Sequence, residues 1–150
     1  MRIAFMEPFP ILEEELRRIL RKTPYSPLVF PTRAKKDLSC EIAVSDQGYF
    51  PPNRFPLARI FLIPGEAGVQ NVSFPGTLLT GGMSQWDDVI FTSIGEEHAM
   101  ICLQKEITVL EKNIVPFEMR VPYDRRFRLY KNLALGFCLA ITQILFGEEL

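Results

Sequence analysis

The sequence has little of what metal sites and disulfides require. Its 150 residues include three cysteines and one histidine, and Cys40, Cys102 and Cys138 form no closely spaced pair. A structural zinc site needs four cysteine or histidine ligands, usually in spaced pairs, so no metal site is predicted. Each cysteine lies in or beside apolar residues, which is typical of buried and unreactive thiols, although Cys40 is flanked by Ser39 and Glu41.

Motifs of nucleotide-binding loops and of hydrolases are missing as well. The chain contains no G-x-x-x-x-G-K-[ST] string, and the segment MEPFPI after its first apolar run has no glycine for a dinucleotide pyrophosphate. It has no G-x-S-x-G elbow, and His98 would have to meet a nucleophile through tertiary contact alone. No catalytic residue and no cofactor is therefore predicted.

The charge balance and hydropathy exclude two kinds of partner. The formal net charge is −1, so no excess of lysine and arginine is available for a nucleic-acid backbone. The N-terminal ten residues lack the apolar core of a signal peptide. The longest apolar stretch, residues 133–146, falls short of the roughly 18 residues needed to span a bilayer. The sequence predicts a cytoplasmic protein that binds neither nucleic acid nor membrane.

The first half of the sequence predicts alternating short strands and one helix. Residues 11–22 carry leucine and isoleucine at helical spacing, with glutamates first and arginines last. Apolar runs of strand length, bounded by proline, glycine or polar residues, are RIAFM, PLVFP (27–31), CEIAVSDQG (40–48), LARIFLIPG and TLLTGG (77–82). Because these runs are continuous rather than alternating, they favour strands of a largely parallel sheet buried on both faces.

The second half predicts an antiparallel meander followed by a long helix. The runs DDVIFTSIG, HAMICLQKEITVL and NIVPFEMRV have strand composition. Residues 96–112 also fit a helix, because Met100, Leu103, Ile107 and Leu110 recur at helical spacing. After Asp124, a candidate N-cap, apolar residues continue at helical spacing to position 145.

Together these patterns predict one α/β domain over residues 1–150, with a βα sheet half (1–82) and an antiparallel half with the C-terminal helix (83–150). The sheet is expected to be short, mixed and partly parallel, with the helix packed on it. The apolar coverage of that helix widens toward its C-terminus. It therefore predicts burial on more than one side, or contact with a protein partner or a second copy of the chain.

The segment TLLTGGMSQWDDVIF (77–91) is the best candidate for a site. Glycines after a buried strand permit a tight turn, and they also permit close approach of a ligand beyond the carboxyl end of the strand. Both interpretations stay open from the sequence. The candidate ligand-binding residues are Gly81, Gly82, Ser84, Asp87 and His98.

Two neighbours of these residues have competing interpretations. Asp87 and Asp88 would point to opposite faces of a strand, and so could not serve one metal unless a turn brings them together. Solvated loop carboxylates are the simpler interpretation. Trp86 is expected to be a partly buried anchor, with a stacking platform as the alternative.

Residues 77–147 resemble the tail of the central domain of Mur ligases and folylpolyglutamate synthetases. The pieces that carry the resemblance are LLTGGMS, DVIFTSI, AMICLQKEI, PFEMRVPY and LYKNLALGFCLAITQILFG. The resemblance implies kinship with ATP-dependent ligases, but their phosphate loop, its lysine and their C-terminal domain are missing from these residues. Where the ligases have a His-Asn pair facing the nucleotide, this sequence has Lys131 and Asn132.

The segment from 80 to 118 also resembles small uncharacterised bacterial proteins, which supply no function. The sequence therefore predicts a bacterial, non-catalytic binding or regulatory module, in the form of a degenerate Mur-ligase-like remnant. One alternative is a small enzyme with a site near residues 81–98. The other is a structural subunit of a larger assembly, in which the apolar residues around 137–146 would be exposed in the isolated chain.

Overall fold

The computed structural model describes residues 1–7, 11–67 and 74–147. Within these residues the helices are α1 (Ile11–Leu20) and α2 (Leu129–Phe146). The strands are, in chain order, β1 (Arg2–Met6), β2 (Phe30–Arg33), β3 (Ser39–Ser45), β4 (Leu57–Pro64), β5 (Thr77–Gly82), β6 (Val89–Ile94), β7 (His98–Leu103), β8 (Ile107–Val109), β9 (Lys112–Ile114) and β10 (Phe117–Pro122).

Most of the described strands form one mixed sheet, in the order β10-β7-β6-β5-β4-β3-β1-β2. The strands from β6 to β2 run parallel to one another, and β7 and β10 extend the sheet in antiparallel fashion. Strands β8 and β9 pair separately as a hairpin. The architecture confirms the predicted fold class: α/β, with a mixed and mostly parallel sheet, an antiparallel extension and a long C-terminal helix.

The continuous apolar runs are strands buried on both faces, as predicted. In β1, Ile3 and Phe5 join the core under the helices, whereas Ala4 and Met6 join a second core on the opposite face. Both helices lie on the same face, because Leu16 of α1 and Phe137 of α2 belong to one core cluster. On the opposite face, aromatic side chains cover the sheet and pack with ring centroids 5.1–5.8 Å apart: Phe50, Phe55, Phe61 and Phe74.

One strand boundary differs from the prediction, and the choice between strand and helix at 96–112 is decided. The strand predicted at PLVFP (27–31) lies further along the chain, because β2 spans Phe30–Arg33, and its first residue, Phe30, pairs with Arg2. Residues 96–112 contain strands, as the predicted meander requires, rather than the alternative helix; these are β7, β8 and the first residue of β9. The turn after β8 consists of Leu110 and Glu111, both with positive φ (51° and 62°), which is the backbone of a two-residue hairpin.

The joint after β5 also differs from the expected entry into an antiparallel sheet. Strand β6 is still parallel to β5, and it pairs with only the last residues of β5, through Gly81↔Val89 and Gly82↔Ile90. Strand β6 begins beside the end of β5 and continues beyond it, so the chain does not have to return to the start of β5. A short turn at 83–88 is therefore enough to connect these two parallel strands. The antiparallel part begins with β7.

Helix α2 is covered within the chain. Phe137, Cys138 and Ile141 are fully buried against the sheet, and α1 packs beside the helix. The helix is long and apolar enough to cross a membrane by length and composition alone, but 61% of it is buried in the fold, as in a core helix. Burial on more than one side therefore explains its apolar coverage, and the exposure around 137–146 that a structural subunit requires is not seen in the described part of the helix.

Candidate functional site

A cleft of about 820 Å³ lies at the carboxyl ends of β3, β4 and β5, beside the start of α2. Ligands of open parallel sheets gather at this edge, because the connecting loops diverge there. The volume is within the range of small-molecule sites, roughly 300–1,000 Å³. The lining residues are Asp46, Gln47, Pro64, Gly65, Glu66, Gly81, Gly82, Met83, Ser84, Trp86, Asp87, Arg128, Leu129, Tyr130 and Lys131.

The cleft adjoins the point where the strand order reverses. The chain passes from β1 to β2 on one side and then places β3 on the other side of β1. Glu7 directly follows β1 and Asp46 directly follows β3. The ammonium group of Lys131, in the first turn of α2, lies 3.9 Å from Oε1 of Glu7. Burial raises the pKa of both carboxyl groups, Glu7 and Asp46, and the charge of Lys131 only partly opposes that rise.

Glu7 is a buried carboxylate that caps α1. Its oxygens accept hydrogen bonds from the backbone N–H groups of Ile11, Leu12 and Glu13 at 2.9–3.3 Å. Burial nevertheless outweighs these bonds and the charge of Lys131, and it raises the pKa of Glu7. Glu7 therefore joins the start of α1 to the start of α2 beside the cleft.

Asp46 is a carboxylate within the cleft that has an oxygen atom without a hydrogen-bond donor among the described residues. Its side chain is half-buried, and its Oδ1 atom is enclosed without a hydrogen-bond partner among the described residues. Burial raises the pKa of this carboxyl group above 3.8, and the charge of Lys131 opposes the shift. An unsatisfied buried oxygen costs free energy unless a donor reaches it, so Asp46 is prepared to accept a hydrogen bond.

Tyr130 joins the helix to the strand ends in the cleft. Its hydroxyl group donates to the backbone oxygen of Ser45 at 2.7 Å and lies 3.3 Å from that of Leu62. Enclosure of the hydroxyl raises its pKa well above 10. The contacts fix the first turn of α2 against β3 and β4, and so fix the shape of the cleft.

The start of α2 was placed wrongly by the sequence. Asp124 is not its N-cap, because the helix begins at Leu129 and is preceded by Arg128, with no capping side-chain hydrogen bond. Asp124 instead pairs with Arg126 at 2.6 Å, which lowers its pKa to about 2. The buried side chain of Asn132 holds the intervening loop, since its Oδ1 accepts from the N–H of Asp124 at 2.8 Å and its Nδ2 donates to the oxygen of Asp124 at 2.8 Å.

The structure brings most of the predicted site residues together. Gly81, Gly82, Ser84 and Asp87 line the cleft, but His98 does not. His98 begins β7 in an exposed position, where its Nδ1 atom lies 3.0 Å from a guanidinium nitrogen of Arg120.

Asp87 holds the turn at 83–88 together. The carboxylate, which is buried, accepts the N–H of Ser84 at 3.0 Å. It also lies against two glycines, since a Cβ on Gly82 would come within 2.5 Å of Oδ2, and a Cβ on Gly65 would overlap Oδ1. The expectation of solvated carboxylates is therefore wrong for Asp87, and also for Asp88, whose Oδ2 accepts the N–H of Thr80 at 2.9 Å.

Trp86 is not the partly buried anchor that was expected. Its side chain is 84% exposed, at the mouth of the cleft and beside Met83, which is 61% exposed. Residues 83–86 of the turn are all exposed, so the turn carries the indole away from the buried core.

The cysteines lie away from the cleft. Cys40 and Cys138 are buried, and burial raises the pKa of each thiol to about 12. Cys102 is half-buried, and burial raises its pKa as well. Among the described residues, no three histidine, cysteine or carboxylate side chains lie close enough together to hold a metal ion.

Four charged residues of the cleft were not among the predicted site residues: Asp46, Glu66, Arg128 and Lys131. Asp46 could have been found, because it lies near the carboxyl end of a run predicted as a strand, CEIAVSDQG, and ligands gather at that edge of a parallel sheet. The misplaced start of α2 obscured Arg128, whereas Lys131 was marked only by the resemblance to the ligases.

No protein-family model matches this chain, and no curated protein or solved structure shows significant similarity to it. The resemblance to Mur ligases stays a prediction. At the position of their His-Asn pair, Lys131 lies at the cleft, whereas Asn132 is turned into the loop before α2.

Proposed function

We propose that the protein is a non-catalytic binding module whose cleft at the carboxyl edge of the sheet takes up a small polar molecule. The observation that carries this proposal is the cleft itself: about 820 Å³, at the strand ends, with groups from several separate elements converging on it. Convergence of a few polar groups on one concavity is the usual mark of a small-molecule site.

The lining supplies hydrogen-bonding groups of both charges. Asp46 and Glu66 offer carboxylates, whereas Arg128 and Lys131 offer cations. Within the described residues Arg128 has no ion pair, and the α2 turn that follows it lacks a side-chain cap. The positive end of a helix favours negative charge, so this side of the cleft suits an acidic group of the ligand, and the Asp46 side suits a donor.

Two side chains that could act in catalysis, Asp87 and Ser84, instead make hydrogen bonds within the turn. The carboxylate of Asp87 holds the turn, and the hydroxyl oxygen of Ser84 accepts the N–H of Trp86 at 3.2 Å. His98 lies on another part of the sheet. These contacts support binding rather than catalysis.

Calorimetry and thermal-shift measurements with amino acids, carboxylic acids, sugar phosphates and nucleotides test the proposal. A ligand should raise the midpoint of thermal unfolding, and its affinity should fall in Arg128→Ala and in Asp46→Asn. Arg33→Ala is the matched control, because Arg33 is an exposed arginine on edge strand β2. The proposal fails if none of the compounds binds, or if the two cleft variants bind as tightly as the unchanged protein.

A further inference from the structure

Trp86 combines high exposure with a position on the cleft. Its indole is 84% exposed, so it contributes little to folding, and it lines the mouth of the cleft together with Met83. Tryptophan is costly to leave in water and is enriched where a binding partner covers it. The exposed side chain therefore needs an explanation outside the fold.

The turn that presents Trp86 is held rigidly by the rest of the chain. The N–H of Asp87 donates to the oxygen of Ser84 at 2.9 Å, and the N–H of Trp86 donates to the hydroxyl oxygen of Ser84 at 3.2 Å. From β7's end, the side-chain amide of Gln104 donates to the backbone oxygens of Asp87 and Gln85 at 2.7 and 3.2 Å. A platform fixed in this way loses little conformational freedom when a ligand covers it.

We propose that Trp86 is a stacking platform for a planar heteroaromatic ring, and that the ligand of the cleft is a nucleoside or nucleotide. The inference rests on the proposed function of the cleft. Stacking on an aromatic side chain suits any base, because every base has a π-face. Asp46 supplies an acceptor for sugar hydroxyl groups, and Arg128 and Lys131 supply cations for phosphate.

The size of the apolar surface favours one ring over a protein partner. Around Trp86, the exposed neighbours Ser84 and Gln85 are polar, and Met83 alone extends the apolar surface along the turn. A stable protein interface buries about 800 Å² on each side. Two exposed side chains on the rim of a cleft match a ring far better than an interface of that extent.

Trp86 is the only tryptophan of the chain, so its fluorescence reports directly on the site. Titration with AMP and GMP should quench the emission along a saturating curve. Ribose 5-phosphate, which lacks a base, should leave the emission unchanged and bind more weakly in calorimetry. Quenching that is equal with and without a base would overturn the inference.

Variants separate stacking from binding in general. In calorimetry, Trp86→Ala should weaken AMP binding about tenfold, because stacking a base on an aromatic side chain is worth about 1–3 kcal/mol. Trp86→Phe should retain most of the affinity, and neither variant should change the unfolding midpoint, since the side chain is exposed. If a cleft ligand binds Trp86→Ala unchanged yet weakens with Arg128→Ala, the inference fails and the proposed function stands. If nothing in the panel binds, the proposed function itself fails.

Discussion

The carboxylate of Asp87 lies directly against the Cα atom of Gly65, although the two residues come from different loops. A methyl group on Gly65 would overlap the Oδ1 atom of Asp87. The opposite side of the same carboxylate lies against Gly82, and its Oδ2 atom accepts the N–H of Ser84. The ends of β4 and β5 are thereby joined to the turn that carries Trp86.

Gly65→Ala should destabilise the protein because it displaces this carboxylate. Overpacking of a filled site costs about 1–3 kcal/mol, and the turn at 83–88 loses its internal acceptor as well. Urea unfolding measures the loss. The double variant Gly65→Ala with Asp87→Ala should cost less than the sum of the single variants, because the shortened side chain makes room for the methyl group. Strict additivity would contradict the contact.

The contact also shows where sequence reasoning ends. The glycines at 81 and 82 were assigned to a turn, but both lie in β5 and pair with β6. The reason for Gly82 is the carboxylate of Asp87, a tertiary neighbour that no local pattern reveals. Most strand positions were predictable, because strands buried on both faces leave continuous apolar runs. The parallel pairing of β6 was not, since its two-residue register with β5 depends on an offset between strands.

The cations of the cleft were left out of the predicted site for a more specific reason. With the N-cap placed at Asp124, Arg128 and Lys131 fell inside the predicted helix instead of at its start, where they line the cleft. The error arises because Asp124 has the side chain of a good cap but is engaged by Arg126 and Asn132.

Asn132 should be among the most sensitive polar residues of the chain. It is 2% exposed, and its amide group donates to backbone oxygens of Asp124, Phe127 and Arg128 at 2.8–3.3 Å. Asn132→Ala leaves buried loop groups unpaired and should cost about 2–3 kcal/mol. Asn132→Asp should cost at least as much, because a carboxylate oxygen would face those carbonyl oxygens. Chemical unfolding measures the loss of stability in each variant. An Asn132→Asp variant as stable as the unchanged protein would contradict the proposed hydrogen bonds of the Asn132 amide.

Glu7→Ala should weaken the start of α1. The change removes the acceptor of three backbone N–H groups and the partner of Lys131, and loss of a helix cap costs about 1–2 kcal/mol. Glu14→Ala is the matched control in the first turn of the same helix, and its exposed side chain should change stability by no more than about 0.5 kcal/mol. Equal losses for the two variants would show that Glu7 does not act as the cap.

Asp46→Asn should stabilise the unliganded protein at neutral pH while it weakens ligand binding. Burial raises the pKa of Asp46 above 3.8, so the folded state holds this proton to higher pH than the unfolded chain does. Its contribution to stability is therefore fully present below pH 3.8 and is lost as the pH rises through the folded pKa. The uncharged amide of the Asp46→Asn variant has no such loss of stability as the pH rises.

Thermal unfolding should give the Asp46→Asn variant a higher midpoint than the unchanged protein at pH 7. The difference between the two midpoints should shrink as the pH falls toward 3.8. If the difference in midpoint stays constant across this range, or the variant is less stable at pH 7, burial of the Asp46 charge does not destabilise the folded protein. A gain in stability together with a loss of binding would identify Asp46 as a residue whose buried charge costs stability and serves the ligand.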